Sequence, residues 1–224
     1  MTTNTFTLIS CLFLLATSYL ITMYSGNPGN LLDENGIIEI ASALGYFLCA
    51  AYILYKGKVC YLIKYHYFFM LVILFGLREL DFDKRFTTMG ILKSRFYLSP
   101  EVPLTEKLVG LLVIGLLIYI VFSIIKNHFK PFIKNMRDNT MLSFSIMASI
   151  ALLIVSKTLD GFSRKMGDLG VTISQEVSSS ISAAEEFLEL GIPIFMLLSF
   201  HIFFKRWHGE RYYLDCFGNA KQPS

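Results

Sequence analysis

Residues 108–125, LVGLLVIGLLIYIVFSII, decide the fold: they carry no charge, and only Tyr119 and Ser123 are polar. Wound as an α-helix they rise about 27 Å, close to the ~30 Å hydrocarbon thickness of a bilayer. Five further apolar runs of similar length occur at Phe6–Met23, Ile37–Tyr55, Val59–Leu77, Met141–Ser156 and Phe187–Phe204. Together they predict an all-α polytopic membrane protein, a bundle of six transmembrane helices with short amphipathic helices on its outer face.

Composition agrees. The 224 residues are 54% hydrophobic and only 17% charged, with mean hydropathy +0.55. Soluble domains are nearer one-quarter charged. The chain reads as a single transmembrane domain over residues 1–224, with 205–224 a short cytoplasmic tail. Ala16-Thr-Ser18 resembles a small-x-small cleavage site, but no basic region precedes the first run. A retained helix is therefore expected there. Cys11, Cys49, Cys60 and Cys216 have no C-x-x-C spacing, which points to small buried hydrophobes rather than disulfides or a thiolate metal site.

Orientation follows from lysine and arginine. One set of connections holds Lys56, Lys58, Lys64, Lys126, Lys130, Lys134, Arg137, Lys205, Arg206, Arg211 and Lys221 against Asp138, Glu210 and Asp215, a balance of +8. The other set holds nine basic residues and fourteen acids, a balance of −5. The basic side is expected to be cytoplasmic, with both termini there, in a bacterial inner membrane. Basic residues confined to one membrane face argue against a nucleic-acid partner. Tyr52, Tyr55, Tyr61, Tyr65, Tyr67, Trp207, Tyr212 and Tyr213 would form the inner aromatic belt, with Tyr24 and Tyr97 marking the outer one.

Two outer connections are long enough for structure. In residues 82–106, Phe86, Met89, Leu92 and Phe96 recur at three-and-four spacing among Lys84, Arg85, Lys93 and Arg95, which predicts a short interfacial helix. Residues 161–182 open as a Gly-rich charged loop. Thr172-x-x-Gln175 then resembles a capping box from which the sixth helix would start near Thr172. Small residues at four-residue spacing, Ala41/Gly45 and Ser145/Ser149, would allow close helix approach, and Gly191-Ile-Pro193 marks a kink.

The informative feature lies where the spans stop being apolar. Glu39, Glu79, Asp81, Asp160, Glu185, Glu186 and Glu189 fall at the outer ends of four helices, against Arg78, Lys157 and Arg164. Ionisable groups at membrane depth are costly and normally face the bundle interior or a watery cavity. Helical spacing pairs Glu185 with Glu189, Asp160 with Arg164 and Lys157 with Asp160. Three readings compete. Arg78, Asp81, Lys157, Asp160, Arg164, Glu185 and Glu186 would form an ion-pair network fixing helix register. Alternatively Glu39, Glu79, Glu185 and Glu189 would hold a divalent cation, Mg²⁺, Ca²⁺ or Mn²⁺, since no histidine lies on this side. Glu39, Glu79 and Glu189 would otherwise serve as a proton- or cation-coupled site, or as acid and base acting on a lipid headgroup.

His66, His128, His201 and His208 all fall toward the cytoplasmic end, where backbone or headgroup hydrogen bonds are expected rather than haem ligation. No Walker A, G-x-G-x-x-G, G-x-S-x-G or EF-hand pattern occurs. Arg78-Glu-Leu-Asp-Phe82 and Glu185-Glu-Phe-Leu-Glu189 resemble parts of small bacterial membrane proteins, a likeness that implies no activity. The sequence therefore predicts a structural, assembly or partner-binding membrane protein in contact with bilayer lipid and with a protein or headgroup at its outer face. A small membrane enzyme and a coupled transporter are the alternatives.

Overall fold

The computed structural model describes residues 37–137 and 141–210, and every element among them is an α-helix. In chain order these are α1 (Ile37–Glu79), α2 (Phe82–Phe86), α3 (Ser94–Leu98), α4 (Leu104–Arg137), α5 (Met141–Leu159), α6 (Phe162–Asp168) and α7 (Gln175–Glu210). Five segments are long and apolar enough to cross a membrane: Ile38–Val59 and Tyr61–Glu79 within α1, then Leu104–Lys134, Met141–Leu159 and Gln175–Lys205. The expected first span, Phe6–Met23, lies outside the described residues, as do the tail residues beyond Glu210.

α1 is a hairpin of two limbs. The reversal falls at Lys56-Gly57-Lys58, where Lys58 takes φ 51° and ψ −165°. Gly57 is needed there because a Cβ would lie 2.6 Å from Tyr61 Cβ. The limbs then pack along their length: the Tyr46 and Phe75 rings sit 5.6 Å apart, and Gly76 admits Phe47 and Tyr46 against its backbone.

α7 is the central element. One of its faces joins Ile192, Phe200 and Phe204 to Tyr46, Cys49, Ala50, Ile53, Tyr61 and Val72 of α1. Its other face packs Phe195, Leu198 and Ile202 on Met141, Leu142, Ala148 and Leu152 of α5. Gly45 of α1 lets that limb approach Pro193, whose ring carbons lie 3.0 Å from where a Cβ would stand, so one of the two small-residue pairs marks a real close contact. Ser145 and Ser149 are used differently, donating hydrogen bonds to the carbonyls of Met141 and Ser145 one turn back. α4 is peripheral; it touches α1 and α5 only lightly and exposes Leu108, Leu111, Leu112, Val121, Phe122 and Ile125. Its most apolar stretch has a mean hydropathy of 3.0, the highest among the five segments, which suits a lipid-facing surface.

Several boundary expectations are corrected. α4 continues past Ile125 and through Pro131, because the polar residues after the span retain helical propensity. The stretch expected to form one interfacial helix is two short helices, α2 and α3, separated by a turn at 87–93 that Thr87 and Asp83 organise. Residues 162–168 are the helix α6, not loop, set off by Gly161 and Gly170 at positive φ. α7 starts at Gln175 rather than near Thr172: Ser174 Oγ accepts the Val177 N–H, so Ser174 is the capping residue.

Candidate functional site

The second limb of α1 ends in Arg78-Glu79, α5 ends in Lys157-Thr-Leu159 with Asp160 just beyond it, and α7 passes both through Glu185–Glu189. Antiparallel packing brings these three segments to one end of the bundle. Glu189 is the centre of the arrangement and only 8% exposed. Its Oε1 lies 2.8 Å from Lys157 Nζ and 3.5 Å from Arg78 Nη2. Arg78 Nη1 is 3.3 Å from Oε1 of Glu79, itself 5% exposed, and Lys157 Nζ is 3.4 Å from Asp160 Oδ2. An unbroken chain of charge, Glu79–Arg78–Glu189–Lys157–Asp160, therefore ties α1, α7 and α5 together.

Burying one of these carboxylates alone would cost several kcal/mol, on the order of the price for any unpaired buried ion. Two cations answer Glu189, and their side chains remain 36% and 34% exposed. That lets water share the solvation of the positive charges while the acid stays inside. Pro193 adds a local feature, since it has no N–H to give the Glu189 carbonyl four residues earlier in α7.

The other sequence-predicted residues divide into two sets. Glu39 of the first α1 limb comes within electrostatic range of Glu79 and Glu186, so all four segments contribute to the cluster. Glu185 and Glu186 are half-buried beside Glu189 and have no ion pair or hydrogen bond among the described residues. Asp81 and Arg164 do not join. Asp81 sits in the left-handed region at φ 47°, where α1 ends, and its carboxylate pairs with Lys84 at 2.7 Å instead. The expected Asp160–Arg164 pairing fails because Gly161, at φ 62°, breaks the helical register between them. Arg164 folds back over Gly161, and it is Lys165 that reaches Asp160, donating to its carbonyl at 2.6 Å.

Among the described residues no three His, Cys, Asp or Glu side chains are placed to hold a metal ion. Glu79 and Glu189, two of the four ligands a cation site would have used, are occupied by Arg78 and Lys157. The arrangement accordingly offers rigid cross-bracing and, at Glu185 and Glu186, two acids not committed to a cation.

The opposite end of the bundle holds features that sequence reasoning missed. Tyr52 bonds His201 across α1 and α7 at 2.9 Å, His66 bonds Tyr119 of α4 at 2.7 Å, and Tyr67 bonds His128 of α4 at 2.6 Å. Among the described residues three histidines thus take tyrosine partners on another helix, and His66 also makes the backbone bond expected of it, to the Ile63 carbonyl at 3.4 Å. Tyr61 and Tyr67 are buried against other helices rather than standing in a lipid-facing belt, whereas Tyr55 is exposed. A period-3.6 wheel for each helix could have flagged the inward side; it could not have matched partners. No family model matches this chain, and neither does any curated protein or solved structure.

Proposed function

We propose that the chain is a structural or assembly protein of a bacterial inner membrane, crossing six times with both termini in the cytoplasm and the carboxylate end outside. The observation that carries this reading is the ion-pair chain through Glu189. It commits the deepest acids to holding three helices in register, the best-attested use of buried charge, rather than to a substrate. The free acids Glu185 and Glu186 then mark where a partner of opposite charge would dock. That neither forms a direct ion pair among the described residues also favours a second reading, a membrane enzyme that uses them as acid and base on a headgroup.

Topology and docking are tested together. Single cysteines at Lys126 and Lys165, in a chain otherwise free of cysteine, should label from opposite sides of sealed vesicles. A photoreactive residue at Glu185 should give one discrete cross-linked protein band in native membranes. Labelling of both from the same side would refute the topology. Cross-links to lipid alone would favour the headgroup enzyme.

A further inference from the structure

The segment between the second α1 limb and α4 contains a site that the carboxylate cluster does not use. α3 and the turns on either side of it border an open cavity of about 730 Å³ lined by Met89, Lys93, Arg95, Leu98, Ser99, Pro100 and Glu101, within the usual size of ligand pockets, about 300–1,000 Å³. Its walls are fixed. Asp83 accepts the Ile91 N–H at 3.2 Å, Glu106 accepts the N–H and hydroxyl of Thr88 at 2.9 and 2.6 Å, and Lys107 Nζ donates to the Ser99 carbonyl at 2.7 Å. Phe96 is fully buried under α3, with Gly110 of α4 giving it and Tyr97 room to sit down on the helix.

With Phe96 turned inward, Lys93 and Arg95 stand outward. Both are exposed, both line the cavity, and neither has an ion-pair partner among the described residues. Glu101 is the single acid in the lining, so the cavity keeps a net positive charge. Beside these cations the lining residue Leu98 and Leu92, next to Lys93 in the chain, are both exposed and give the cavity an apolar rim. Two segments long and apolar enough to cross a membrane, ending at Glu79 and starting at Leu104, flank this piece, which on the membrane reading sets it where the bilayer begins.

From this juxtaposition we infer that the cavity beside α3 seats the phosphate headgroup of an anionic phospholipid, with Lys93 and Arg95 on the phosphate and the apolar rim among the acyl chains. An acidic peptide or a free phosphate would satisfy the cations and leave the rim in water. A lipid satisfies both, since a cationic pocket with an exposed apolar border is the pattern of an interfacial lipid site. The inference rests on the membrane reading but not on which side faces outward.

The test is native mass spectrometry of the full chain released from detergent containing equal phosphatidylglycerol and phosphatidylcholine. Phosphatidylglycerol should be retained preferentially. Its tightest site should weaken about fivefold for Lys93→Ala or Arg95→Ala, and roughly thirtyfold for the double variant. Glu101→Gln should tighten it about fivefold by removing the opposing charge, a gain that misfolding would not produce, and Lys165→Ala should leave it unchanged. Equal retention of the two lipids, or indifference to the double variant, overturns the site. Displacement by inorganic phosphate overturns the lipid as its ligand. A chain that stays soluble without detergent overturns the membrane reading as well, and so is told apart from failure of the cavity alone.

Discussion

Removing the charge of Glu189 probes the ion-pair chain where it is most buried. In Glu189→Ala, Lys157 and Arg78 lose their shared acceptor at 2.8 and 3.5 Å. Breaking a fully buried pair costs about 3–5 kcal/mol, whereas breaking an exposed one costs ~0–1 kcal/mol. Here the acid is buried and both cations are about one-third exposed, so the freed cations can turn partly to water and the expected loss is about 2 kcal/mol. In a domain of this size that lowers the melting temperature by roughly 4–8 °C. Glu189→Gln keeps an oxygen that Lys157 can still reach, so about half the effect is expected. With Cys11, Cys60 and Cys216 changed to Ser, thermal exposure of the buried Cys49 in detergent provides the readout. Lys157→Met should combine with Glu189→Gln less than additively, with a coupling of about 0.5 kcal/mol or more. Melting of Glu189→Ala within about 1 °C of the parent, or strict additivity of the pair, would refute the bracing role.

Two further predictions concern packing at the opposite end of the bundle. Gly57→Ala places a Cβ 2.6 Å from Tyr61 Cβ, so the hairpin must open and destabilisation of about 1–3 kcal/mol should appear in the same melt. Tyr67→Phe removes the 2.6 Å bond to His128 and Tyr119→Phe the 2.7 Å bond to His66. Each should cost about 1 kcal/mol. Because these bonds hold a lightly packed helix, α4 amides should exchange with deuterium faster than those of α7, and uniform acceleration in both helices would count against that anchoring role.

The membrane character and the helical content were legible in the sequence because both depend on composition along a single segment. Runs such as 108–125 are too long and too apolar for anything but a membrane-compatible helix, whichever neighbours they meet. The same holds for the turn at Lys56-Gly57-Lys58, where charge and glycine interrupt two apolar runs, and for the concentration of acids where four apolar segments end. Element ends were less legible. Ser174 rather than Thr172 caps α7, and Gly161 breaks the register that would have paired Asp160 with Arg164, since both depend on local backbone angles that several residues compete to set.

Partnership was decided only by the tertiary structure. Glu189 and Asp160 differ little as residues in a sequence, yet one is buried between two cations and the other lies at the exposed end of the chain of charges. Asp81, two residues from Glu79, is turned out of the cluster by a single left-handed backbone position. Tyr61 looked like a belt tyrosine and is a core one. Hydropathy reports how deep a residue sits in the bilayer, because depth is read along one helix. Which residue it faces depends on the rotation of each helix about its axis, and only the packing of α7 between α1 and α5 sets that rotation.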